Sequence, residues 1–427
     1  MKTIFKKGYI IFFISIYILF TSLVLSSFYV QSSNKVLSTN NLKLQEHTPD
    51  YWPTSGWRTS LPETQGLSSQ KLQEMEDYIA SENIGGFIDS LLIVRNGYLV
   101  YESYPSRIYD TNIRHHIFSC TKVFTSTLIG VAIENGYIGG LNDYVLDYFP
   151  NRTFDNMDSR KEAITIKDLL TMTSGIAWVD NVDYYQMAHS YNWVQYVLDQ
   201  PMLHQPGEVW NYNTGGSHLL SAILDKETPI GTLDYAKTRI FDPLNITKYS
   251  WNLDRQGIPI GGTLLHLTPR DMAKFGFLYL NNGTWNGTQL ISASWIAEAT
   301  TSFIDVEFDQ GHGSGYGYQW WTYNWVNAYT ARGSYEQYIV VIPDLNIVVV
   351  STGNTDFQFI RLLVDFILPS AGFNPLNLVL VISLVVGTIS VSIILGFTYL
   401  HFKKKRTIKK LRKEFFEDTD RNGESFL

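Results

Sequence analysis

From Ser119 to Glu134 the chain reads SCTKVFTSTLIGVAIE, an apolar segment of helical length with a serine and a lysine at its head. Val123, Phe124, Leu128, Ile129, Ala132 and Ile133 point to nearly every side of such a helix, so it belongs inside a folded body. Positions three apart share a helical face, which lets the Ser119 hydroxyl meet the Lys122 amine. A serine hydroxyl is a poor nucleophile until a neighbour takes its proton. Lysine can do so only where burial and positive potential depress its pKa, and the N-terminus of a buried helix offers both. Ser119-Cys120-Thr121-Lys122 therefore reads as a serine nucleophile with its own base.

Spacing alone does not single it out, because Ser32 with Lys35 and Ser68 with Lys71 repeat it. The Ser68 copy opens a segment with Glu74, Glu76 and Asp77 beside Leu72, Met75 and Ile79. That pattern predicts an amphipathic surface helix with Ser68 as its N-cap. The Ser32 copy lies in a polar stretch behind a hydrophobic leader. Cys120 is the chain's single cysteine, so no intrachain disulfide exists; it reads as a small buried residue.

Both ends are apolar. Gly8 to Val30 is uncharged and follows Lys2, Lys6 and Lys7, as in a signal sequence or an uncleaved signal anchor. Leu376 to Leu400 is also uncharged, long enough to cross a bilayer as a transmembrane helix, and followed by Lys403-Lys404-Lys405-Arg406. Basic flanks resist translocation, so the tail 401–427 is expected in the cytoplasm and the stretch between the runs outside it. That stretch holds 21 of the 33 basic residues and 35 of the 40 acidic ones, a net charge of about −14. Such a balance argues against nucleic acid as a partner. Asn151, Asn245, Asn282 and Asn286 head glycosylation sequons, although Asn-Gly-Thr at the last two is equally a turn signal.

The organisation expected is 1–30 signal sequence or anchor, 31–57 linker, 58–370 folded domain, 376–400 transmembrane helix and 401–427 tail. Leu91–Val94 and Tyr98–Tyr101 flank Arg95-Asn96-Gly97, a hairpin signal. The Ser119 helix should end at Asn135-Gly136. Thr165 with Asp168 forms a capping box, and Thr268-Pro269-Arg270-Asp271 repeats the device with proline at the first helical position. Gln337–Ile342 and Asn346–Ser351 form a second strand pair joined through Pro343-Asp344. Strands at both ends with helices between predict an α+β domain: an antiparallel sheet flanked by helices with a mostly helical insertion.

Two further segments offer chemistry. Tyr212, in PGEVWNYNTGG, could relay protons if the lysine's charge lowers its phenol pKa. At Ala331-Arg332-Gly333-Ser334, ahead of a strand, glycine would let an edge strand approach a substrate, with the next amide facing an oxyanion. His115 and His116 lack a third ligand at metal spacing, and His218 reads as a satisfied core histidine. Trp320-Trp321 fits a substrate cleft or core packing equally.

Ser-x-x-Lys, then Tyr, then a glycine-containing strand triplet resembles the serine β-lactamase and penicillin-binding-protein superfamily, in particular its class C branch with esterases and 6-aminohexanoate-dimer hydrolases. IFSCTKVFTSTLIG (117–130), ITIKDLLTMTSGI (164–176), PGEVWNYNTGGSHLLSAIL (206–224), LTPRDMAKFG (267–276) and YGYQWW (316–321) carry the likeness, over about residues 55 to 370. It implies a β-lactamase/transpeptidase-like fold and no metal or cofactor. Ser119 would be the nucleophile, Lys122 its proton acceptor and Tyr212 a second acid/base. The amides of Ser119 and Ser334 would form the oxyanion hole, with Thr214, Arg332 and Gly333 as substrate-binding candidates. Thr214 stands where asparagine is usual, Ala331 replaces the lysine or histidine that opens the triplet, Arg332 occupies a typically small position, and Glu336 replaces a common glycine. These departures disfavour a penicillin or D-alanyl peptide. Arg332 either supplies the missing charge or points to solvent beside Glu336. The implied activity is an anchored, extracytoplasmic serine hydrolase acting on an ester or amide of a small molecule or peptide. The alternative is a silent ectodomain that binds a ligand or partner in the same cleft.

Overall fold

A computed structural model describes residues 49–306, 314–323, 325–373, 394 and 396–411. The run Gly8–Val30, the Ser32/Lys35 repeat and most of the run 376–400 lie outside the described residues. Among the described residues no helix is long and apolar enough to cross a membrane. The chain divides into two compact units, Thr48–Phe373 and Met1–His47 with Asn374–Leu427. In the second unit, 394 and 396–411 are helical.

Unit Thr48–Phe373 is built on thirteen described strands: β1 Ile88–Arg95, β2 Tyr98–Ser103, β3 His115–His116, β4 Tyr249–Trp251, β5 Leu265–Leu267, β6 Thr284–Trp285, β7 Thr288–Gln289, β8 Ile304–Val306, β9 Ser314–Tyr316, β10 Trp321–Tyr323, β11 Ala328–Gly333, β12 Gln337–Ile342 and β13 Ile347–Gly353. Eight of them form one antiparallel sheet in the order β2-β1-β13-β12-β11-β10-β9-β8. The hairpin expected at Asn96-Gly97 is present, with Arg95 opposite Tyr98. Asn96 and Gly97 take φ of 53° and 80°, the left-handed pair that a two-residue hairpin turn needs. The C-terminal pair is also present, and Leu92 on β1 faces Val350 on β13.

The central strands read as unbroken apolar runs because both faces of the sheet are covered. Leu92, Val94, Ile339, Val341, Val348 and Val350 face a core shared with the helices Thr121–Glu134 and Pro269–Leu280. Gly276 makes the second approach possible, since a Cβ there would meet Val348 Cγ1 at 2.6 Å. Leu91, Ile93, Val340, Ile342, Ile347 and Val349 face the other way, against Leu72, Met75 and Ile79 of the helix Ser69–Ser81. Ser68 caps that helix, its hydroxyl accepting from Lys71 N, so this serine–lysine pair is structural.

Most of the insertion between β3 and β4 is helical, and β3, β5 and β4 make a small second sheet. The Thr165–Asp168 capping box and the Thr268 cap with Pro269 behind it are both formed. The indoles of Trp52 and Trp57, in the stretch read as linker, lie 5.7 and 5.6 Å from the Phe277 ring.

Two expectations need correcting. Residues 331–333 end strand β11 rather than leading into a strand, and β11 is interior, between β12 and β10. The β10 ladder covers only 328–330, so the last three residues run beyond it and form an edge locally.

Candidate active site

Ser119 lies in a single 3₁₀ turn, Phe118–Cys120, that feeds the helix Thr121–Glu134. Strand β3 delivers the turn: Ile117 N donates to Leu265 O at 3.0 Å, and Thr121 Oγ1 to Phe118 O at 2.6 Å. Phe118 carries a φ of 46°, left-handed backbone that a bulky residue takes only where its surroundings impose it. Its ring stacks on His116 at 3.7 Å and meets Tyr335 edge-on at 5.2 Å. The turn leaves Ser119 partly accessible while Cys120 is fully buried. The Cys120 thiol donates to Gln337 O at 3.4 Å and burial raises its pKa, consistent with a packing residue.

Lys122 is 1% exposed, and every position around its amine is used. Nζ lies 3.1 Å from Ser119 Oγ, 3.1 Å from Thr214 Oγ1 and 2.8 Å from Gly262 O. Desolvation brings its pKa down to about 8, against the opposing charge of Asp180. An amine so placed is neutral in a minority of molecules at neutral pH, far more than for an ordinary lysine, and in that form can accept a hydroxyl proton. Gly261 and Gly262 permit the arrangement. A Cβ on Gly261 would meet Ser217 O at 2.3 Å, and one on Gly262 would meet Thr214 Cγ2 at 2.6 Å.

Tyr212 precedes the helix Thr214–Glu227, which Asn213 caps by accepting from Gly216 N at 2.8 Å. The Ser119 side chain is near enough to its phenol to act on its pKa, and Lys122 lies against its ring, so the three predicted proton-handling residues meet. The expected lowering of its pKa does not occur. Desolvation dominates and raises it, the neighbouring Ser119 hydroxyl only opposing. Lys122 sits over the face of the ring, 4.7 Å from its centroid, rather than at the oxygen. Trp321 stacks on Tyr212 at 6.2 Å, and Trp210 and Tyr316 complete an aromatic wall with Met172. Trp320, the residue before β10, turns into the core against Tyr279 at 4.6 Å. The tryptophan pair thus divides between the two roles.

Gly333 is close to protein, not to a free cleft. A Cβ there would stand 2.6 Å from Ile117 O and 3.1 Å from Phe118 Cβ, so β11 lies directly against the turn bearing Ser119. That contact brings the Ser334 segment to the Ser119 turn. Ala331 is buried in the core. The Arg332 guanidinium lies 5.1 Å from the Trp321 centroid and 5.4 Å from that of Tyr338, while Glu336 accepts from Phe359 N at 3.1 Å. Thr214, expected to face the substrate, is 4% exposed. Its hydroxyl donates to Asp180 Oδ2 at 3.0 Å while accepting from Lys122, so it is engaged inside the protein.

Asp180 and the Gly262 carbonyl are absent from the sequence reading. Gly-Gly at 261–262 was a usable signal for a close approach; nothing local marked Asp180. The histidines have structural partners: His115 Nε2 is 2.7 Å from Asp89 Oδ2, and His116 Nε2 accepts from Leu264 N at 3.1 Å. His218 is only half satisfied, with Nε2 3.2 Å from Asp254 Oδ2 and Nδ1 lacking a partner.

An antiparallel sheet with a helical insertion, and a Ser–Lys–Tyr cluster where the two meet, define the β-lactamase/transpeptidase class of fold. The chain belongs to the Beta-lactamase family of serine hydrolases, whose model matches residues 75–361. It is 28% identical over 197 residues to Protein flp of Staphylococcus aureus (strain NCTC 8325 / PS 47), covering 43% of this chain and 39% of that protein. It is 26% identical over 176 residues to Penicillin-binding protein 4* of Bacillus subtilis (strain 168), covering 38% and 37%. The match spans about two fifths of the length of these relatives. Among solved structures, a Bacillus anthracis protein assigned as a 6-aminohexanoate-dimer hydrolase superposes with a TM-score of 0.58 at 22% identity, covering 68% of this chain and 81% of that one. The octameric penicillin-binding protein homologue of Pyrococcus abyssi gives 0.56 at 22%, covering 71% and 78%. EstCE1, a hydrolase with promiscuous acyltransferase activity, gives 0.57 at 17%, covering 68% and 94%. At these identities the structural likeness is one of fold.

Proposed function

We propose that this protein is a membrane-anchored serine hydrolase, its catalytic domain outside the cytoplasm, that cleaves an ester or amide through an acyl-enzyme on Ser119. The observation that carries this reading is the buried Lys122 amine, 3.1 Å from Ser119 Oγ with its pKa drawn to about 8. In acylation the Ser119 proton passes to neutral Lys122 as Oγ bonds to the carbonyl carbon, and the amides of Ser119 and Ser334 hold the oxyanion. Collapse breaks the bond to the leaving group, which needs a proton. Tyr212, kept protonated by desolvation and placed beside Ser119 and Lys122, is suited to donate it and to recover one from the Lys122 ammonium. Water then attacks the acyl carbon as Lys122 takes its proton, and Lys122 returns that proton to Ser119 Oγ as the acyl–oxygen bond breaks, which releases the acid and restores both residues.

Ala331 puts no cation at the opening of the triplet, and Trp210, Tyr316 and Trp321 pack as an aromatic cluster beside Tyr212. Both features favour a neutral, partly apolar ester or amide. A catalytically silent binding ectodomain is the rival, and Ala331 is the observation on its side. Fluorophosphonate labelling of the intact protein, with the modified residue mapped, separates the two; an unlabelled protein would sink the hydrolase.

The lysine gives the pH dependence its sign. Its neutral form is the reactive one, so kcat/KM for a neutral short-chain ester should climb as pH rises through about 8 and level off above it. A profile flat across that range would remove Lys122 as the base.

Anchoring rests on the two uncharged runs, 8–30 and 376–400, and their basic flanks. Protease added to intact cells should digest the domain between them and spare the tail after His401. An epitope beyond Leu427 that is reachable from outside would contradict this arrangement.

A further inference from the structure

The Lys122 amine is surrounded by two kinds of partner, and the difference sets the direction of its protons. Gly262 O can only accept. Thr214 Oγ1 has one proton to give, and gives it to Asp180 Oδ2 at 3.0 Å. Asp180 also receives Thr214 N and Trp178 Nε1 on Oδ1, each at 2.8 Å. Three donors thus converge on a carboxylate that offers acceptors alone, and any other orientation of the Thr214 hydroxyl would set its oxygen lone pairs against Asp180 Oδ2. Towards Lys122, Thr214 is therefore an acceptor as well. A neutral amine has two N–H bonds and one electron pair. With its two N–H bonds taken by Thr214 and Gly262, the pair faces the remaining neighbour, Ser119 Oγ.

We propose that Asp180 is a positioning residue for Lys122: by holding the Thr214 hydroxyl proton, it turns the electron pair of the amine onto Ser119. The inference rests on Lys122 being the base in the reaction above. Asp180 also supplies the negative charge that favours the ammonium once the Ser119 proton has arrived. The other titratable or charged groups around this pair are Cys120, Tyr212, Tyr316 on β9, Tyr184 on the helix Asp180–His189, and Arg332 on β11. None of these bonds to the Thr214 hydroxyl. Replacing the carboxylate with a carboxamide frees that hydroxyl to donate to Lys122 and compete with Ser119 for the electron pair.

In the full-length protein, Asp180→Asn should lower kcat/KM for a neutral short-chain ester by about 10²-fold. Its ascending pH limb should move below that of the wild type, because the ammonium loses its compensating charge. Thr214→Val should cause a similar fall. Asp180→Asn added to it should reduce the rate little further, as expected of residues acting in series. Thr214→Ser, which keeps the hydroxyl, should restore most of the rate lost in Thr214→Val. The Cε resonance of Lys122 in ¹³C-lysine-labelled protein, followed through a pH titration, should show its midpoint lowered in Asp180→Asn. An unmoved resonance and pH limb in a variant that melts like the wild type, or fully additive losses in the double variant, would overturn the proposal. A wild type that neither hydrolyses ester nor takes the fluorophosphonate would instead overturn the hydrolase reading. The Lys122 titration would then still decide whether Asp180 governs the amine.

Discussion

Ser119→Ala should abolish hydrolysis of a short-chain ester and leave no fluorophosphonate adduct, a loss of at least about 10⁴-fold in kcat. The fold should barely notice. The hydrogen bond lost is the one between Ser119 Oγ and Lys122 Nζ at 3.1 Å, so its removal should cost about 1 kcal/mol. The melting temperature therefore serves as the control. Lys122 would keep its Thr214 and Gly262 partners, so the base stays in place with no hydroxyl to act on. Turnover that survives in the variant, or an adduct moved to Cys120, would displace Ser119 as the nucleophile. The second outcome would be hard to reconcile with a thiol that is fully buried and pushed away from its thiolate.

Gly333→Ala should be nearly as damaging by a different route. The added methyl would stand 2.6 Å from Ile117 O, a backbone atom without a rotamer to yield. Either the end of β11 or the Ser119 turn must retreat, and Phe118 Cβ at 3.1 Å closes the nearest escape. If the amides of Ser119 and Ser334 together hold the oxyanion, such a shift should lower kcat by about 10²- to 10³-fold, as for loss of one donor. Overpacking of this kind costs about 1–3 kcal/mol, so the variant should fold with a lowered melting temperature. Full activity in a stable Gly333→Ala protein would show that the close approach has no part in catalysis.

The legible parts of this chain were those written in local chemistry. Asn96-Gly97 announces a hairpin because only a left-handed turn joins such strands, and the turn is there. Ser68 and Thr165 announce helix starts through hydroxyls that cap their own segments. The Ser119 helix was legible from its all-round apolarity, and Lys122 from its place one turn along. Strands β8, β9 and β10 were not, since each is three residues long and no period can be read in three positions. Tyr212, one of many tyrosines, had only its turn ahead of a helix to mark it until the family resemblance gave it a role. Its pKa went the other way because charge above a ring face does less for the phenol oxygen than desolvation does against it. Asp180 acts through a threonine 34 positions later, and a coupling of that length leaves no pattern along the chain.

One seam of the large sheet bears on how such a protein is made. Leu92 pairs across from Val350, so the β1–β13 junction joins segments about 260 residues apart. Contacts of that separation form late, because the chain between them must be gathered before the ladder gives anything back. The β1–β2 hairpin can close on its own early in synthesis, yet an isolated hairpin is marginal in water. It must wait, with the outer side of β1 unpaired, until the final strand has emerged. A chain ending before Ile347 would lack the strand that joins β1 to β12, and so would divide the sheet that carries β11 to Ser119.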